Sequence, residues 1–334
     1  MNSNRKMKFA VTLVAGLIAL ACMFTVSMIF GAKDTTVNDV WLALTTREAG
    51  ERLTPLRELR LPRETAGMII GAALGVAGAV MQGLTRNPLA DPGIIGLSAG
   101  ASAALAFTMA TMPSVGYFGM MIACFIGAGV GAVLVLGIGA ARKGGMSPMR
   151  MVLAGSAVSA FLYAVSEGIG LAFKISKNIS MWTAGGLIGT TWGQIQTISP
   201  FIGLGILAAI VLGKALTLLS ANEEAAIGLG LRTGQIKFVL YAAVIVLTGA
   251  SVALIGNMAF VGLMIPHMVR MLVGTDYRKV VPMSAIVGAI FMLAADTIAR
   301  TVIAPYEPPM ASIIAIMGLP FFLFIVRKGV KTTP

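Results

Sequence analysis

Apolar runs long enough to cross a bilayer, about 20 residues each, recur along the whole chain. They fall near residues 9–31, 62–84, 93–111, 115–140, 151–173, 198–219, 238–258, 259–273, 281–300 and 310–326. With 57% of its 334 residues hydrophobic and 11% charged, the chain has too little polar surface to clothe a soluble domain of this size. Its 40 glycines, set among alanines and serines, suit helices that approach closely in lipid. The expectation is an all-α integral membrane protein of about ten transmembrane helices. It forms one polytopic domain over residues 1–334, and the third and eighth segments are the weakest. Arg5, Lys6 and Lys8 precede Phe9–Phe30 in the manner of a signal peptide. That apolar stretch, about 22 residues, exceeds the usual signal core. It reads as a retained first span.

An even number of spans puts both termini on one side. Arg5, Lys6 and Lys8 at one end of the chain and Arg327, Lys328 and Lys331 at the other place that side in the cytoplasm. The loop with Arg142, Lys143 and Arg150, and the turn Asp276-Tyr-Arg278-Lys279, then fall inside as well. Residues 32–64 resist the rule, since they carry Lys33, Arg47, Arg52, Arg57, Arg60 and Arg63 on the outer side. Trp41, Trp182 and Trp192 land at the outer edge, as an interfacial aromatic belt would. The net charge of +12 comes from basic residues clustered in short loops and tails. It therefore reads as an orientation signal and not as a nucleic-acid surface. Cys22 and Cys124 lie inside apolar spans, so no structural disulfide is expected.

Catalytic material is scarce. The single histidine, His267, has no second histidine or Cys-x-x-Cys to share a metal with, and reads with Arg270 as a helix-end pair. Gly213-Lys214 lacks the spacing of a phosphate-binding loop, so any ATP that drives this protein binds another chain. The chain is read as a non-enzyme without a cofactor. Span five carries Ser156, Ser159, Tyr163, Ser166 or Glu167, and Gly170 at helical spacing. Two readings of that face stand, a pore lining favoured by Glu167 and close packing of small residues. Asp296 and Arg300 form an i, i+4 pair at the outer end of span nine. With Arg60 and Arg63, Arg300 would offer guanidinium forks to carboxylates on an outer partner; headgroup anchoring is the other reading. In the inner loop Ser220–Lys237, Asn222 can cap a short helix with Glu223 and Glu224 in its first turn and Gly228 or Gly230 at its end. It reads equally as a docking element or an ordinary ordered loop. The break at Arg86-Asn-Pro-Leu-Ala-Asp-Pro92 returns the chain for span three.

Six segments together resemble the permease subunits of ATP-binding-cassette importers for iron–siderophores, haem and vitamin B12. They are Leu59-Arg-Leu-Pro-Arg63, Gly71-Ala-Ala-Leu-Gly-Val-Ala-Gly-Ala-Val-Met-Gln82, Arg86-Asn-Pro-Leu-Ala-Asp-Pro-Gly93, Phe260-Val-Gly-Leu-Met-Ile-Pro-His-Met-Val-Arg270, Ala295-Asp-Thr-Ile-Ala-Arg300 and Gly318-Leu-Pro-Phe-Phe322. The resemblance implies ten spans, a homodimer or paired-permease core, cytoplasmic ATP-binding subunits and an extracytoplasmic substrate-binding protein, in a bacterial cytoplasmic membrane. It implies that Arg60, Arg63 and Arg300 dock the binding protein. It implies that Glu223, Glu224, Ala226, Leu229 and Gly230 couple to the ATPase, and that Ser159, Tyr163 and Glu167 line the path of a ferric siderophore or related chelate. Asn222 replaces a family glycine, and Glu307-Pro-Pro-Met-Ala311 departs from the family turn. The rival from another class is an ion- or proton-coupled secondary transporter with Glu167 as the titrating site.

Overall fold

A computed structural model describes residues 3–31, 35–46, 53–140, 148–304 and 306–328. Among these residues every regular element is helical. Ten apolar helices, labelled α1–α10, follow the apolar runs: Ser3–Ile29, Leu61–Thr85, Leu97–Thr111, Tyr117–Ala140, Pro148–Ala172, Trp192–Val211, Thr233–Ile255, Val261–Val273, Tyr277–Thr301 and Met310–Lys328. Seven are long and apolar enough to cross a membrane: α1, α2 with its lead-in from Leu53, α4, α5, α6, α7 and α9. The shorter apolar segments belong to α3, α8 and α10, so the two runs that looked weakest in the sequence are indeed short helices. Lys33, Arg47, Arg52, Arg142, Lys143 and Lys331, which entered the orientation argument, lie outside the described residues.

The 13 residues of α8 rise only about 20 Å, two-thirds of a hydrocarbon core. The chain between α7 and α8 is non-helical, with left-handed φ of +74° at Gly256 and +68° at Phe260. Such backbone survives in a bilayer only under cover. Cover comes from the Ser176–Thr183 helix and the loop after it. Trp182 Nε1 donates to the Val252 carbonyl at 3.1 Å and the Gly186 amide to Ile255 at 3.1 Å. A Cβ on Gly256 would stand 2.1 Å from the Trp182 carbonyl oxygen, so only glycine fits.

Buried from Ala66 along most of its length, α2 is the axis of the bundle. Its glycines set the packing distance. A Cβ on Gly71 would meet the Gly288 carbonyl of α9 at 2.3 Å, and one on Gly78 would meet the Gly262 carbonyl of α8 at 1.9 Å. Backbone contact of this kind supplies the dispersion energy that replaces the hydrophobic drive between helices in lipid.

The polar residues gather at the two ends of α2. One end holds Arg60, Arg63 and Arg300 with the C-terminus of α1. The other holds Arg86, Glu223 and Lys237 in one cluster, and Thr217 with Asp276 and Tyr277 at the start of α9 in another. Lys8 of α1 shares a cavity with Arg278 at that second end.

Candidate functional site

At the arginine end, one widened π turn, Leu56–Arg60, leads into α2, with Pro62 in its first turn. Three arginines spaced by three residues do three different jobs there. Arg57 donates to the carbonyls of Leu42, Ala43 and Thr46, closing the exposed helix Val37–Thr45. Arg60 donates to Met28 O at 2.7 Å and Thr35 Oγ1 at 2.8 Å, closing α1. Both satisfy carbonyls that a helix end leaves without partners, where the dipole also favours a cation. Arg63 turns inward, holding Asp296 by Nε at 3.1 Å and Nη2 at 2.8 Å and Glu307 by Nη1 at 2.8 Å.

Behind Arg63, Arg300 donates to Glu64 at 2.5 Å and the Ser27 hydroxyl oxygen at 3.0 Å, and its Nε lies in ion-pair contact with Asp296 at 2.9 Å. The Ser27 hydroxyl in turn donates to Glu64. Two guanidinium groups thus serve three carboxylates and tie α1, α2, α9 and the turn before α10 together. Glu64 and Asp296 are 0% exposed and Arg300 4%, so each charge depends on its partners. Arg300 is enclosed by α1, α2 and its own helix, behind Arg63. The Glu307 turn that departs from the family pattern supplies a ligand to Arg63, and its two prolines precede α10 without entering it.

At the other end, Asn222 caps the six-residue helix Glu223–Gly228, its Oδ1 accepting from the Glu224 and Ala225 amides at 2.8 and 3.1 Å. Gly230 ends it at φ +81°, and the Leu231 amide reaches back to Ala226 O at 3.1 Å. Ala226 is buried, whereas Glu224, Ile227 and Leu229 face out. Glu223 points back to the bundle and accepts from Lys237 at 2.5 Å and Arg86 at 3.3 Å. The Lys237 hydrogen bond, aided by the charges of Lys237 and Arg86 against some desolvation, holds its carboxyl below the usual range. Arg86 itself is the left-handed cap of α2, at φ +51°.

The stripe on α5 divides. The Tyr163 hydroxyl oxygen accepts from Asn257 Nδ2 at 2.6 Å, Ser166 is buried, and buried Ser159 Oγ has no partner among the described residues. Glu167 and Ser156 lie on the exposed side with Phe161 and Leu171. Tyr163 therefore meets the break between α7 and α8, and Glu167, one turn further along α5, is exposed. His267 stands edge-on to Phe321 with ring centres 6.0 Å apart. Among the described residues no group of three His, Cys, Asp or Glu side chains is placed to hold a metal.

Ser27, Glu64, Asn257 and Asp91 went unnoticed as partners in the sequence. Asp91 Oδ2 accepts from the Gly93 amide at 2.9 Å and its other oxygen lies against Gly262, where a Cβ would stand 2.7 Å away. Glu64 alone carried a signal: a carboxylate in the first turn of an apolar helix, adjacent to two arginines.

Comparison with known proteins places these features. A model of the FecCD transport family matches residues 17–328. The chain is 38% identical over 98% of its length, and 85% of the relative's, to the iron(3+)-hydroxamate import system permease protein of Bacillus subtilis. It is 36% identical to the ferric enterobactin transport system permease protein of Escherichia coli, over 95% of this chain and 96% of that one. It is 38% identical to the cobalamin import system permease protein of Halobacterium salinarum, over 80% and 72%. In fold it is similar to an inward-facing metal-chelate type ABC transporter, with a TM-score of 0.82 over 96% of this chain and 100% of that one, at 24% identity.

Proposed function

The chain belongs to the FecCD transport family as the permease subunit of an ATP-binding-cassette importer, and from that premise we propose that it carries a ferric siderophore or related iron chelate inward by alternating access. The end-to-end likeness to iron-chelate import permeases carries this reading. It is a multi-pass membrane permease with no reaction of its own. We assign all ten apolar helices as spans of one polytopic domain, with both termini in the cytoplasm of a bacterial cell and a second permease, identical or paralogous, beside it. Basic Lys8 and Arg278 at one end of the bundle support that orientation.

On this assignment the Glu223–Gly228 helix faces cytoplasmic ATP-binding subunits. Its outward Glu224, Ile227 and Leu229 offer the contact, while buried Ala226 and Gly230 fix its shape. The arginine end faces the extracytoplasmic binding protein, with partly exposed Arg60 and Arg63 at the surface and Arg300 holding α2 and α9 in place behind them. Ser159, Tyr163 and Glu167 line α5 where the path and the second permease meet, supported by the exposed face around Glu167. Two ligands, ATP on one side and the loaded binding protein on the other, then bias one two-state bundle. Uptake of ferric hydroxamate into proteoliposomes should require ATP, the ATP-binding subunits and the binding protein together. Uptake driven by a proton gradient alone would overturn the reading.

A further inference from the structure

We propose that the cavity between the start of α1 and the start of α9 binds the phosphate headgroup of an anionic membrane phospholipid. The cavity measures about 550 Å³, and Lys8 of α1 and Arg278 and Lys279 of α9 line it, with the turn between α8 and α9 closing one side. One carboxylate shares the wall. Asp276 holds Arg278 through Nε at 3.0 Å and Nη2 at 2.7 Å, caps α9 by accepting the Arg278 amide at 3.1 Å, and lies 3.3 Å from the Thr217 hydroxyl. Three cations against one committed carboxylate leave the cavity positive. Lys279 Nζ sits 5.7 Å above the Phe9 ring, so α1 and α9 build the site jointly.

The apolar lining of the cavity distinguishes a lipid from a soluble anion. Phe9 of α1 lines the cavity beside Lys8 and Thr12 and gives it an apolar wall next to the cations. Leu272, 61% exposed, and Val273 at the end of α8 line the other side. A phosphate ion would use only the cations, whereas a two-chain phospholipid uses the cations and both apolar walls. Basic pockets between helices at the cytoplasmic surface take such headgroups. The side of the membrane rests on the orientation assigned above, but the geometry stands whatever the cargo.

The test is native mass spectrometry of the purified full chain in detergent with equal phosphatidylglycerol and phosphatidylcholine. Wild type should retain phosphatidylglycerol selectively, Lys8→Gln and Lys279→Gln should each lower retention about fivefold, and Lys279→Arg should keep it. Millimolar inorganic phosphate should leave the lipid bound. Equal retention by wild type and the double glutamine variant would overturn the site, and displacement by inorganic phosphate would make it a soluble-anion site instead. Since transport is not the readout, loss of this proposal leaves the import reading untouched, and the reverse.

Discussion

Both ends of α2 are held by guanidinium–carboxylate pairs, yet the two obey different physics. At the arginine end, Glu64 and Asp296 are 0% exposed and Arg300 4%, so every charge there exists only because its partner does. At the Glu223 end, the Arg86, Glu223 and Lys237 side chains are 49, 29 and 33% exposed, and water stands ready to replace each contact. Exposed pairs contribute about 0–1 kcal/mol. The same chemistry therefore rivets one end and leaves a release catch at the other. On the proposed assignment, a machine driven from the ATP side uses that asymmetry.

Removing a buried partner should break the comparison most visibly. Arg300→Ala strands the buried Glu64 carboxylate and leaves Asp296 to Arg63 alone, and should cost about 3–5 kcal/mol, seen as a large fall in the thermal midpoint in detergent or loss of folded protein. Glu64→Gln keeps hydrogen bonds to Ser27 and Arg300 and should cost well under half as much; equal losses would show that shape, not charge, holds this end. Next in size, Gly78→Val drives a side chain into the Gly262 backbone, and overpacking of this kind costs about 1–3 kcal/mol. Amide exchange should then rise in α8 before it rises around Arg63.

Smaller effects sharpen the other side. Glu223→Gln should shift the midpoint by about 1 kcal/mol or less while lowering ATP-coupled uptake; intact uptake would remove the latch from the coupling path. Smallest are the solvent effects. Raising NaCl from about 50 to 500 mM should loosen residues 223–228 and leave the buried network unmoved, because only exposed pairs are screened. Acid should act likewise. Lys237 holds the Glu223 carboxyl low, so its contribution is present above the unfolded carboxylate value, about 4.3, and is lost as pH falls through the lowered folded value. Protection of the Glu224–Gly228 amides, corrected for intrinsic exchange, would report it.

The helices were legible because a bilayer demands long apolar runs, and even the shortness of α3 and α8 showed as weak hydropathy. The caps at Asn222 and Gly230 were legible because they are local. The arginine network was not, since Arg300 meets Glu64 across 236 positions and no periodicity links them. Asp296 and Arg300 showed as an i, i+4 pair, but nothing local said that α1 and α2 would enclose them. On α5, a stripe spaced by three and four left Ser166 and Glu167 as alternatives. Burial separated Ser166 from exposed Glu167, and the Asn257 hydrogen bond holds half-buried Tyr163 at the α7–α8 break.

The glycine seam between α2 and α9 has a mechanical consequence. Backbones that touch at Gly71 and Gly288 have no side chains to rearrange, so the two helices tilt as one rod. From Arg63 to Arg86 that rod is about 35 Å long. A tilt of about 5° pivoted at its Arg86 end would swing the far end by about 3 Å, a full contact distance. The rod is a lever whose short stroke beside Glu223 is magnified where Arg63 grips Asp296 and Glu307.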